Sequence, residues 1–221
     1  MVGVVTFILI GLSYGVLIVS RDMRRGSLGT LALAWLVVSA RHALSAYNAV
    51  WGQLYGAGLD AATFHEKAAA YANSAADVAG WAGARFFIWS LGLLYETFGI
   101  SIILGQSLAV LAFAIALVYM LKLLSLIEAD RGRRFAIVLF ALQPAMLLWT
   151  SVTLREPFQI VLLLVALFHG IRARRDMGRW DICATATALV LLALLHKGLL
   201  VYVPLLLAML LIWKFDDKPL G

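Results

Sequence analysis

The chain has 221 residues, of which 63% are hydrophobic and 14% charged, with a formal net charge of +6. Soluble domains carry about a quarter charged residues, so this composition excludes an ordinary water-soluble enzyme and indicates a membrane protein. A single cysteine, Cys183, excludes an internal disulfide and a cysteine-built metal site; in its apolar run it reads as a small packing residue.

A helix needs about 20 apolar residues to cross the hydrocarbon core. Seven predicted spans follow in chain order: 2–20, 28–50, 100–127, 135–152, 157–171, 180–196 and 198–213. The expected fold is therefore all-α, a polytopic membrane bundle of about seven transmembrane helices with interfacial helices on its outer face. The first span lacks a basic residue before it and is followed by Arg21, Arg24 and Arg25, which favours a retained helix over a cleaved signal peptide. Similar basic clusters follow the third, fifth and seventh spans, at Arg131–Arg134, Arg172–Arg179 and Lys214–Lys218. With Lys122, thirteen of the 18 Lys and Arg fall on one side if the spans alternate. The positive-inside tendency makes that side cytoplasmic and leaves the N-terminus outside. A bacterial inner membrane is the expected location. Residues 1–27 form an extra N-out helix and basic loop, 28–213 the main module with an outer loop at 51–99, and 214–221 a cytoplasmic tail, all in one domain.

The other five basic residues, Arg41, Lys67, Arg85, Arg155 and Lys197, come to the outer side from separate parts of the chain. Arg41 and His42 interrupt the second span about 20 Å from Leu28, by helical rise. A charge at that depth is a functional candidate; Arg41 would only mark the surface if the apolar part ended near Ala40, and the run from Leu28 to Ala40 is short for that. In the outer loop, Asp60 to Val78 has helical spacing, with Phe64, Ala68, Tyr71, Ala75 and Val78 on one stripe. Asp60 reads either as a helix N-cap or as a base or metal ligand assisted by His65; Lys67 shares its face. His65 and Glu66 also fit a solvated face. The following "WAGARFFIWSLGLLYETFG" reads as an interfacial helix, its aromatics at the headgroup level. Arg85 there either meets a lipid phosphate or snorkels as an anchor.

"TSVTLREPFQ" joins the fourth and fifth spans. Pro157 suits a first helical turn, and the fifth span, at about 15 residues, is short enough to hold Arg155 and Glu156 in a recess. The seventh is similarly short, with His196 and Lys197 at its outer turn. Two such ends predict a funnel opening outward; the rival account is local thinning of the bilayer. Gln143-Pro144 marks a kink in the fourth span.

This order of parts resembles the C-type (GT-C) glycosyltransferases, membrane enzymes that use polyprenyl-phosphate sugars. "GLDAATFHEKA" looks like their first outer loop, and "LFALQPAMLLWTSVTLREPFQIVLLLVALF" resembles a helix–turn–helix recurrent in bacterial members. The resemblance implies that Asp60 acts on the acceptor as a base or through a divalent metal, with Glu156 as a second acid and metal ligand. It also implies that Arg85, Arg155 or Lys197 binds the lipid phosphate, with Arg41, Lys67 and His196 as further candidates. The chemistry suits these residue types, because the acceptor loses a proton while phosphate gains charge as the sugar leaves. The sequence departs from the family in having one acid where many members carry an adjacent pair, and in its short C-terminal part. A reduced homologue, an incomplete module and a subunit completed by a partner all remain open. The implied partners are a polyprenyl-phosphate-linked sugar and membrane lipid, with no nucleic acid. Two other functions remain open: a non-catalytic lipid-linked-glycan binder or assembly subunit, and a transporter using Arg41 and His42. The latter lacks support from internal repeats.

Overall fold

The structure is a computed structural model that describes residues 1–20, 28–52, 58–73, 84–126, 132–176 and 178–201, with 204 and 208. Among them the chain is all-helical: α1 (Val2–Val19), α2 (Leu28–Trp51), α3 (Gly58–Ala72), α4 (Ala84–Phe98), α5 (Ile102–Leu126), α6 (Arg133–Leu142), α7 (Pro144–Trp149), α8 (Glu156–Asp176) and α9 (Arg179–Leu195), then a 3₁₀ turn over Lys197–Val201. Four of these, α1, α2, α5 and α8, are long and apolar enough to cross a membrane.

The hub is α5, of whose 25 residues thirteen are buried. Its sequence explains why. It is apolar on every side, and Gly105, Ala109, Ala112, Ala114 and Ala116 let neighbouring backbones approach, which drives association where lipid removes the hydrophobic incentive. Helices α1, α2 and α8 pack on it, α9 packs on α8, and α3 packs on α4. One core cluster gathers Leu17, Val38, Phe113, Leu117 and Ile137. The second gathers Phe64, Phe87, Leu91, Tyr95, Leu104, Val152 and Leu195, with Val2 and Leu9 against it. The starts of α1 and α5 thus share one end of the bundle with α3, α4 and the 150–156 turn. Helices α2 and α4 stop at Gly52 (φ 91°) and Gly99 (φ 106°), a left-handed conformation that glycine adopts without strain.

The expected kink at Gln143-Pro144 is a full break. Gln143 is extended (ψ 123°) between α6 and α7, because Pro144 has no N–H to continue the ladder. Arg41 closes the break. Wholly buried, it donates from Nε to Thr150 Oγ1 (2.7 Å), from one terminal nitrogen to Val37 O (2.9 Å) and from the other to Ala141 O (2.6 Å). Its guanidinium carbon lies 3.5 Å from the Phe113 ring centroid. These bonds satisfy the carbonyl of Ala141 near the end of α6, where the helical ladder stops. Arg41 is therefore buried inside the protein, and its placement is that of a clasp rather than of a phosphate ligand at the surface.

After α7 the chain is non-helical from Thr150 to Arg155, and Thr150, Ser151, Val152, Thr153 and Leu154 are all buried. Irregular backbone is tolerated at membrane depth only inside protein or along a cavity. Here Asn48 donates to Ser151 O at 3.4 Å, and Ser45 donates to Gln106 Oε1 at 2.9 Å nearby on α2 and α5.

Helix α8 corrects the expectation of a short fifth span. It opens at Glu156 and runs 21 residues to Asp176, about 31 Å by helical rise. The helix continues through Arg172, Arg174 and Arg175, whose long stems carry their charges to the bundle end. The length of α8 therefore gives no support to a recess made by a short helix. Helix α9 has 17 residues, about 26 Å. Of the expected span 198–213, only 198–201, 204 and 208 are described.

At the opposite end, Arg133 donates to Ser125 Oγ (2.6 Å) and Arg175 to Leu126 O (3.3 Å). Asp181 joins α9 to α8 through His169 (2.6 Å) and Arg172 (3.6 Å). Cys183 is exposed on α9, not packed inside as its apolar neighbours suggested.

Candidate functional site

The start of α8 holds Glu156, with Arg155 just before it. Arg155 Nε lies 3.6 Å from Glu156 Oε1, with side chains 21% and 30% exposed. Another Arg155 nitrogen approaches Leu195 O at 3.5 Å, which ties the pair to the end of α9 and so to His196 and Lys197. The Arg155 guanidinium carbon lies 5.9 Å from the Phe64 ring centroid, which ties it to α3. Three elements distant in sequence therefore meet at one arginine.

Asp60 stands in the first turn of α3 and is exposed. It precedes Phe64 by one helical turn, about 6 Å of rise, at the edge of the buried face made by Ala61, Phe64 and Ala68. Lys67 shares that edge and is exposed. Ala75 and Val78 of the expected stripe, and Trp81 of the next helix, lie outside the described residues. His65 turns the other way, its Nδ1 2.8 Å from Tyr95 Oη. Burial holds His65 below its usual pKa, with Glu66 opposing, and raises the Tyr95 hydroxyl above its own. Tyr95 therefore stays protonated and able to donate to a neutral imidazole, whose proton then sits on Nε2. Tyr95 is 1% exposed, so its hydroxyl faces protein. Arg85 is exposed near the start of α4, just before Phe86 and Phe87. Lys197 is exposed, and His196 Nδ1 accepts from Gly198 N at 3.1 Å.

An apolar groove of about 350 Å³ runs between α4, α5, α8 and α9. Phe87, Leu91, Leu111, Phe158, Leu162 and Leu195 line it. Phe158 packs on Phe87 with ring centroids 5.7 Å apart, one turn along α8 from Arg155. The Leu195 carbonyl near Arg155 belongs to a residue of the groove wall. A cation thus approaches one wall residue of a slot suited to a hydrocarbon chain.

The metal expectation fits this arrangement poorly. Among the described residues no three His, Cys, Asp or Glu groups cluster as a metal site would require. Glu156 already faces the Arg155 cation, and Asp60 is exposed on another helix.

Sequence reasoning missed Thr153, Gln159 and Gln106, polar residues with buried, unpartnered side-chain atoms around this turn. Their signal was present: Gln159 follows Arg155 by one helical turn inside an apolar run. No family model, curated protein or solved structure matches the chain.

Proposed function

We propose that this chain is a GT-C-like membrane protein of seven spans, N-terminus outside, that transfers a sugar from a polyprenyl-phosphate donor to an acceptor on the external face of a bacterial inner membrane. The observation that supports the reading is that Arg155 approaches the carbonyl of Leu195, a residue that lines the apolar groove. In this reading the lipid chain occupies the groove and its phosphate faces Arg155, with Lys197 nearby. Asp60 takes the proton from an acceptor hydroxyl as that oxygen bonds to the sugar's anomeric carbon. The bond from that carbon to the phosphate oxygen breaks, and the departing phosphate's charge is stabilised by Arg155. Arginine suits that task, since it presents several N–H groups to an anion.

A second reading, a non-catalytic binder of the same lipid or an assembly subunit, is favoured by one observation: Asp60 is exposed, while the Arg155–Glu156 pair is half-buried. One substitution separates the two. In a strain lacking the gene, the wild-type chain restores the missing envelope glycoconjugate and Asp60→Asn does not, although both reach the membrane in equal amount. Restoration by Asp60→Asn would leave the binder and remove the enzyme.

A further inference from the structure

Six buried side-chain nitrogen or oxygen atoms among the described residues have no hydrogen-bond partner, and four of them lie between Thr153 and Gln159: Thr153 Oγ1, Arg155 Nε, Glu156 Oε2 and Gln159 Nε2. A fifth, Gln106 Nε2, is next to Gly105, against which Thr153 packs. Each such group carries an uncompensated desolvation cost, and native proteins hold few of them. Their concentration in one turn, flanking Phe158 of the groove wall, points to a polar ligand.

The atom types say which ligand. Arg155 Nε and Gln159 Nε2 donate, ionised Glu156 Oε2 only accepts, and Thr153 Oγ1 does both. An ionised phosphate offers only acceptors and so gives Glu156 Oε2, the oxygen turned away from Arg155, no donor. Hydroxyls donate and accept, so they match the whole set, as water also does. We infer that this turn reads the hydroxyl groups of a neutral polyol attached to the lipid phosphate. Gln159 and Thr153 bond its hydroxyl oxygens, and Glu156 accepts a hydroxyl proton in a hydrogen bond. An acidic sugar, whose carboxylate would face Glu156, is disfavoured. The assignment rests on the lipid-phosphate reading above and makes Gln159 a specificity-determining residue within it. Phosphatidylglycerol carries the same phosphate-plus-polyol chemistry, so the test separates the two sources.

The full chain in phosphatidylcholine nanodiscs is titrated with farnesyl phosphate, glucosyl farnesyl phosphate and short-chain phosphatidylglycerol. The wild type is expected to bind the glucosyl lipid about tenfold more tightly than farnesyl phosphate, the worth of one or two net hydrogen bonds. In Gln159→Met that ratio falls to about one. Because Met removes an unpaired buried amide at similar volume, the variant melts no lower than the wild type. A Gln159 that only supports the fold, or bonds ordered water only, gives a lower melting temperature and no sugar-dependent ratio in either protein. That result overturns the inference, as does a ratio that survives Gln159→Met or phosphatidylglycerol that binds as tightly as the glucosyl lipid. Failure of the underlying reading looks different: farnesyl phosphate then binds no better than farnesol, and both proposals fall together.

Discussion

Gly105 is where the buried 150–154 segment meets the hub helix, so Gly105→Ala probes the architecture of the recess directly. A Cβ placed there would lie 2.9 Å from Thr153 Cγ2 and Oγ1 and 3.0 Å from Tyr95 Oη. Favourable contacts between such atoms are about 3.5–4.0 Å, so the neighbours must retreat by roughly 0.5–1 Å. Neither retreats easily. Thr153 and Tyr95 are each 1% exposed, threonine is stiff about its first torsion, and Tyr95 is bonded to His65. Overpacking of this kind costs about 1–3 kcal/mol, against which the better helix propensity of alanine offsets about 0.5–1 kcal/mol. The net expectation is a loss of about 1–2 kcal/mol, read as a fall of a few degrees in melting temperature. Gly15→Ala is the control. No atom comes within 4 Å of its added Cβ, so only the propensity gain remains and the melting point holds or rises. The assay is thermal unfolding of the detergent-solubilised chain followed by tryptophan fluorescence. Gly105→Ala melting at or above the wild type would refute the close approach of the 150–154 segment to α5.

Two further predictions concern charge and sidedness. Burial lowers the pKa of His65, so its contribution to stability is fully present above its unfolded value, about 6.5, and is lost as pH falls through the lower folded value. Melting temperature should therefore fall between pH 7 and 5 in the wild type and fall less steeply in His65→Gln; equal slopes would count against a buried neutral imidazole. In a Cys183→Ser background, a membrane-impermeant maleimide should label Glu66→Cys in intact cells. It should label Arg175→Cys only after permeabilisation, since these exposed positions belong to opposite ends of the bundle. The reverse pattern would invert the topology.

The sequence made some of this legible through signals that survive without tertiary context. Apolar run length marked α1, α2, α5 and α8, and Pro144 marked the break between α6 and α7. The pairing of Arg155 and Glu156 followed from their adjacency. What the sequence hid depended on packing. Arg41 reads as a stray charge until the carbonyl of Ala141, 100 residues away, supplies its acceptor. The contact between the Tyr95 hydroxyl and His65 is likewise absent from any local pattern. The recess was inferred from a short fifth helix, yet α8 is long, because arginines can continue a membrane helix when their stems reach its end. Thr153 and Gln159 passed unnoticed because one hydroxyl or amide in an apolar run has no period to betray it. The convergence of Phe64, Arg155 and Leu195 is a tertiary fact that no local pattern encodes.

The central claim is that a polyprenyl chain lies in the groove with its phosphate at Arg155. Photo-crosslinking with a diazirine-bearing farnesyl phosphate, mapped by mass spectrometry on the full chain in nanodiscs, tests it most directly. The account predicts adducts on Leu91, Leu111 and Leu162, reduced at least tenfold by Arg155→Gln, as expected when a charged hydrogen bond is lost. Adducts spread instead over the exposed face of α1, at Val4, Phe7 and Ile8, and indifferent to Arg155, would contradict it.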